Sequence, residues 1–208
     1  DIQILLLTVS PSLAILAYVI VSDRFKEPPR LIVASFVLGY LICFPAGELN
    51  HLFINSMTGP GNYSFIAGFV EETLKFIAIG LFLWDRAEFD EPMDAIVYGT
   101  LVSLGFATFE NYEYVYILNG EYSSLSIAAL RAVSAIPLHA CCGIIMGFYI
   151  GKYFKSSQKK HALLALVVPI FVAKKCSKTE AVKNATRPPF SPSRPSYPHT
   201  KPRNNEES

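Results

Sequence analysis

Phe69-Val70-Glu71-Glu72-Thr73-Leu74-Lys75-Phe76 places two carboxylates and an ammonium in the middle of an apolar run from Tyr63 to Trp84. Such a run has the ~20 residues a helix needs to cross ~30 Å of hydrocarbon. Each charge at the centre of an inserted helix costs roughly 2.5–3.5 kcal/mol, and an intramembrane ionisable group is by default a functional candidate. Three such groups within five residues need partners, and the rest of the chain supplies them.

The 208 residues are 51% hydrophobic, with a mean hydropathy of +0.34. That is too apolar for a soluble domain of this size, and the apolar residues come in blocks of membrane-spanning length. The fold class is all-α, a polytopic membrane helix bundle. Five full transmembrane helices are expected at Ile2–Val21, Leu31–Ala46, Tyr63–Trp84, Asp94–Leu118 and Leu125–Ile150, with prolines at positions 11 and 137 inside the first and fifth. A sixth apolar segment, Ala162–Ala173, is too short to span. Turns are expected at 47–62, through Gly59-Pro60-Gly61-Asn62, and at Asn119-Gly120-Glu121.

Cys43, Cys141, Cys142 and Cys176 show no CxxC spacing, so packing is expected of them rather than a disulfide scaffold. The first segment lacks a basic start and a small-residue cleavage site, so no removable signal peptide is expected. The start at Asp1 rather than Met suggests that residues precede it.

The net charge of +1 carries no information about partners, and no nucleic-acid partner is expected. Its distribution is informative. Connections 23–30, 85–93 and 152–161 carry eight Lys and Arg residues, whereas 47–62 and 119–124 carry none. The positive-inside rule therefore puts the first set in the cytoplasm. Two regions follow: a transmembrane bundle over 1–173, with its motif core at 60–151, and a tail over 174–208. The tail holds eight Lys and Arg and six Pro, has no apolar period, and is expected to be disordered or aberrant.

Glu71 and Glu72 stand i,i+4 and i,i+3 to Lys75, so either can be neutralised within the helix, and one carboxylate is left over. On the fourth helix Ala95, Gly99, Ser103 and Ala107 form a small-residue row ending at Asn111, with Glu110 at its edge. On the fifth, Arg131, Ala135, His139, Gly143, Gly147 and Gly151 fall on one face. Counting the helical rise places Glu71, Glu72, Glu110 and His139 in one slab of the outer, extracytoplasmic half, with Arg131 about 10 Å further out.

A set of carboxylates and an imidazole in a protected pocket suits the activation of water. A glutamate serves as general base, while a histidine binds metal or stabilises an oxyanion. Glu and His are ordinary zinc ligands, although no HExxH pattern is present. Two other readings fit the same residues. Buried ion pairs could simply pin helix register in a catalytically inactive protein. A proton- or cation-coupled transporter could use them as a relay, with inverted repeats or broken helices at the site.

The pattern Glu71-Glu72-x-x-Lys75, then Asp94-Ala-Ile-Val-Tyr98-Gly99 leading to Gly105-Phe106-Ala107-x-x-Glu110-Asn111-x-x-Tyr114, then Arg131 and His139, resembles the PrsW family of intramembrane proteases. That family is distantly similar to the CAAX-prenyl endopeptidase and bacteriocin-processing group. The latter typically has His where this chain has Glu110, and a basic residue one position after Lys75. The resemblance implies a membrane-embedded endopeptidase, a metalloprotease or a glutamate protease, performing site-1-type cleavage of a membrane-bound protein such as an anti-sigma factor. It implies Glu71, Glu72, Glu110 and His139 as the catalytic set and Lys75, Asn111 and Arg131 as supporting residues. If zinc is used, Glu72, Glu110 and His139 are the implied ligands.

Overall fold

The computed structural model describes residues 2–24, 26–55, 63–83, 91–118 and 123–177. The described residues form seven helices and no strand: α1 (Ile2–Ser22), α2 (Pro29–Asn55), α3 (Tyr63–Leu83), α4 (Pro92–Tyr116), α5 (Ser124–Val133), α6 (Ala135–Ser156) and α7 (Lys159–Ser177). The turns expected at Gly59–Asn62 and Asn119–Glu121 lie outside the described residues, as does the tail from residue 178 onward.

Helix α1 is built inside out for a protein in water. It buries Thr8, Ser12 and Val19 and exposes Leu5, Leu6, Leu13, Tyr18 and Val21. A surface of that kind is stable against lipid, where the driving force between helices is close packing rather than burial of apolar area. By length and composition Ile2–Ser22, Pro29–Phe53, Pro92–Tyr116 and Ser124–Ser156 can each cross a membrane. Helix α3 has the length as well, at 21 residues, and holds the three charges in its middle.

Helix α4 is the hub, buried along nearly its whole length and packed on α1, α2, α3, α5 and α6. Its start is set by Pro92 in the first turn and by the Glu91 N–H, which donates to Asp94 Oδ2 at 2.8 Å. The small-residue row lets α6 approach closely. A Cβ on Gly143 would lie 2.6 Å from the Gly99 carbonyl oxygen, and one on Gly99 would lie 2.7 Å from that of Gly143. At Gly147 a Cβ would lie 2.6 Å from the Ile96 Cα, where only backbone could give way. Gly147→Leu is therefore expected to force α4 and α6 apart, at a cost of at least about 1–3 kcal/mol. Thermal unfolding in detergent measures this, and a variant as stable as the parent would refute the contact.

Three elements differ from the sequence expectation. Helix α2 does not stop at Ala46 but runs through Pro45 and Gly47 to Asn55. In a bilayer a chain that leaves a helix strands its backbone polar groups, so one lost hydrogen bond at a proline is the smaller cost. The expected fifth helix is two, divided at Ser134. Pro137 lacks an N–H for the Val133 carbonyl and crowds it, and the Ser134 hydroxyl donates to the Leu130 carbonyl at 2.7 Å. The apolar segment Ala162–Ala173 lies inside the longer α7, which extends through flanking lysines and packs on α3 and α6 with Ala165 and Ile170 buried.

On the basic side, Lys26 Nζ donates to the carbonyls of Ile20, Val21 and Asp23, closing the end of α1. The Tyr98 hydroxyl donates to Glu27 Oε2, tying this connection to α4. Burial pushes the Glu27 carboxyl up to about 7, and nearby Asp94 acts in the same direction while the Tyr98 bond opposes it.

Candidate active site

A continuous polar chain crosses the bundle from α3 to α1. Lys75 Nζ donates to Glu72 Oε1 at 2.8 Å and lies 2.9 Å from His139 Nδ1. His139 Nε2 lies 3.0 Å from Glu110 Oε2. The same oxygen accepts from Arg131 Nη2 at 2.6 Å, while Arg131 Nε donates to Asn111 Oδ1 at 2.9 Å. Asn111 Nδ2 then donates to the Thr8 carbonyl at 2.7 Å. An ammonium has only protons to give, so the network assigns Nδ1 of His139 as acceptor and places the ring proton on Nε2, facing Glu110.

Burial makes these pairings consequential. Lys75 is 0% exposed and Glu72 1%, and an unpaired charge at such a depth would be costly. Two aromatic rings complete the cation sites. Lys75 Nζ sits 4.1 Å from the Phe106 ring centroid, and the Arg131 guanidinium 4.1 Å from that of Tyr114.

The residues anticipated from sequence all meet here, with two changes of detail. Lys75 pairs with Glu72, the i,i+3 option, and Glu71 is the carboxylate left over. Oxygen and nitrogen atoms of Glu71, Glu110 and His139 all lie within 4.8 Å of one another. Of the two glutamates, Glu71 and not Glu72 falls in this group, while Glu72 is paired with Lys75. The ~10 Å counted along the helix between Arg131 and His139 does not keep their side chains apart, since both reach the same Glu110 oxygen. The break at Ser134 and the length of the arginine side chain bring them together.

Asn50 was missed. It lies on α2 in the stretch expected to be a loop, and its Nδ2 donates to Glu71 Oε1 at 3.3 Å. A polar residue five positions before the end of a hydrophobic helix was the available signal. His51 is half-buried on the same helix rather than in a loop.

The fold and site define a polytopic helical membrane protein enclosing an acid–base cluster. A family model described as PrsW family intramembrane metalloprotease matches residues 27–175. Among curated relatives, a Protease PrsW of Bacillus subtilis (strain 168) is 38% identical over 168 residues, covering 77% of this chain and 75% of the relative. The Protease PrsW of Oceanobacillus iheyensis is 36% identical over 173 residues, covering 79% and 76%. That of Clostridioides difficile (strain 630) is 29% identical over 181 residues, covering 82% and 76%. No solved structure matches. The chain belongs to the PrsW family of intramembrane proteases, and is a membrane-embedded endopeptidase acting on a protein substrate in the membrane.

Proposed function

We propose that Glu71, Glu110 and His139 activate water for peptide-bond hydrolysis, with Glu71 as the group that accepts charge or proton. The observation that carries this is the pairing. Glu72 is held by Lys75 and Glu110 by Arg131, whereas Glu71 has no ion pair among the described residues. Glu71 takes a proton from water as it attacks the substrate carbonyl, and returns it to the departing nitrogen. Glu110, held by Arg131, accepts from the Nε2–H of His139 and so orients the imidazole beside that centre.

In a second arrangement, with Glu71 as a ligand instead of the base, the same three residues fit zinc in donor type and in the 4.8 Å spread of their ligand atoms. His139 would use Nε2, which must first shed its proton. When bound, zinc supplies Lewis acidity and lowers the pKa of water. Purified protein is expected to contain about one zinc per chain and to lose both metal and cleavage to a chelator. Full activity in metal-free protein would leave the glutamates to act alone.

The substrate proposed is a membrane-bound regulatory protein such as an anti-sigma factor, cut at its first site in the extracytoplasmic half of a prokaryotic cell membrane. Location is supported by the helix ends. Glu110 is six residues from the end of α4 and His139 four from the start of α6, both at the side away from the basic connections. The division into a catalytic bundle and a separate tail belongs to the same proposal, with the boundary moved from 173 to beyond Ser177, where α7 ends. A transporter reading would use the α5–α6 break for its broken helix, but there the Ser134 hydroxyl is taken up by the Leu130 carbonyl of the preceding turn.

A further inference from the structure

We propose that Asn50 is a positioning residue for Glu71, fixing one carboxylate oxygen so that the other is presented to the reacting water. The inference rests on the reading of Glu71 given above. Two observations carry it. The first is the bond from Asn50 Nδ2 to Glu71 Oε1 at 3.3 Å, which joins α2 to α3 at the site. The second is that Asn50 is only 8% exposed, yet its Oδ1 has no hydrogen-bond partner among the described residues.

The molecule contains its own comparison. Asn111 is more deeply buried, at 0% exposed, and both ends of its amide are used, Oδ1 by Arg131 and Nδ2 by the Thr8 carbonyl. That is an amide tying helices together. Asn50 is held at one end only, and by a carboxylate of the site. A buried acceptor left unmet is unfavourable for the resting fold, so framework stability does not explain its presence. Glu72 Oε2 and Thr73 Oγ1, on the neighbouring turn of α3, are unmet as well. Hydroxyls of Ser12 and Ser103 elsewhere in the bundle are unmet too, but a hydroxyl can donate; the two unmet atoms that can only accept, Asn50 Oδ1 and Glu72 Oε2, are both on the α2–α3 side of the site. Water is a donor of the right kind: one proton goes to Glu71, and Asn50 Oδ1 can accept the other.

The test uses the full chain in detergent and a single-span membrane reporter that the unsubstituted protein cleaves. Asn50→Leu is expected to lower kcat about 10- to 100-fold, the range for a lost outer contact to an active group, with KM within about threefold. Its unfolding temperature should not fall, because the unmet acceptor is gone. Asn50→Asp, which loses the donor, should be as impaired, while Asn50→Gln should recover part of kcat. Unchanged kcat in Asn50→Leu would overturn the proposal. So would a kcat loss matched by lost stability and not relieved by Gln. Glu71→Gln is the control that separates the two levels: if it stays active the site reading fails, and if it alone is inactive only the role of Asn50 fails.

Discussion

Glu71→Gln is expected to reduce cleavage of a co-expressed membrane substrate by about 10²–10⁴-fold, the range for loss of a general base, with no loss of protein. The substitution keeps shape and removes the charge, so Asn50 still has an oxygen to donate to. No cation is orphaned, because Glu71 has no ion pair among the described residues. The adjacent Glu72→Gln should behave differently. It strips the counter-ion from Lys75, which is fully buried. Breaking a buried pair from one side costs about 3–5 kcal/mol, so activity and folded protein should fall together. Immunoblotting of membranes alongside the cleavage assay distinguishes the outcomes. If Glu71→Gln cleaves normally, water is not activated there. If Glu72→Gln is as stable as the parent, the Lys75 pair does not hold the site.

That contrast was half legible in the sequence. Glu71 and Glu72 both precede Lys75 at workable helical spacings, so sequence could say that one carboxylate would be spared but not which. The choice coincides with a tertiary contact, Asn50 on Glu71, made by a helix that Pro45 and Gly47 suggested had already ended. Those residues end helices in water, where a freed backbone can hydrate; in lipid it cannot. Periodicity revealed the small-residue face of α4 and the glycine strip of α6, because close packing restricts residue type every fourth position. It did not reveal the break at Ser134. Pro11, Pro45 and Pro169 lie inside unbroken helices, so a proline alone does not predict a break. The Ser134 bond to the Leu130 carbonyl does not set Pro137 apart either, because Thr8 makes the same bond to the Ile4 carbonyl three residues before Pro11 in an unbroken helix. Without that break, rise arithmetic kept Arg131 away from a carboxylate it touches.

Arg131→Met is expected to destabilise the protein by roughly 3–5 kcal/mol and to abolish activity, and its partner substitution should repair only the first. Arg131 gives Glu110 its shortest contact, at 2.6 Å, and anchors α5 to Asn111 of α4. Without it, Glu110 is a nearly buried carboxylate whose remaining partner is the His139 ring. Glu110→Gln alone leaves the opposite charge unmet, on a guanidinium that still stacks on Tyr114. With both changes neither charge remains, so the two stability losses should fall short of additive by about 0.5–3 kcal/mol in a double-mutant cycle. Cleavage should not return, since the oxygen that holds His139 Nε2 and would help hold zinc is no longer anionic. Unfolding in detergent gives the stability arm and the reporter assay the activity arm. Strict additivity would mean that Arg131 is not the counter-charge of Glu110. A double variant that recovered both stability and cleavage would show that the pair only pins helix register, and would remove Glu110 from the chemistry.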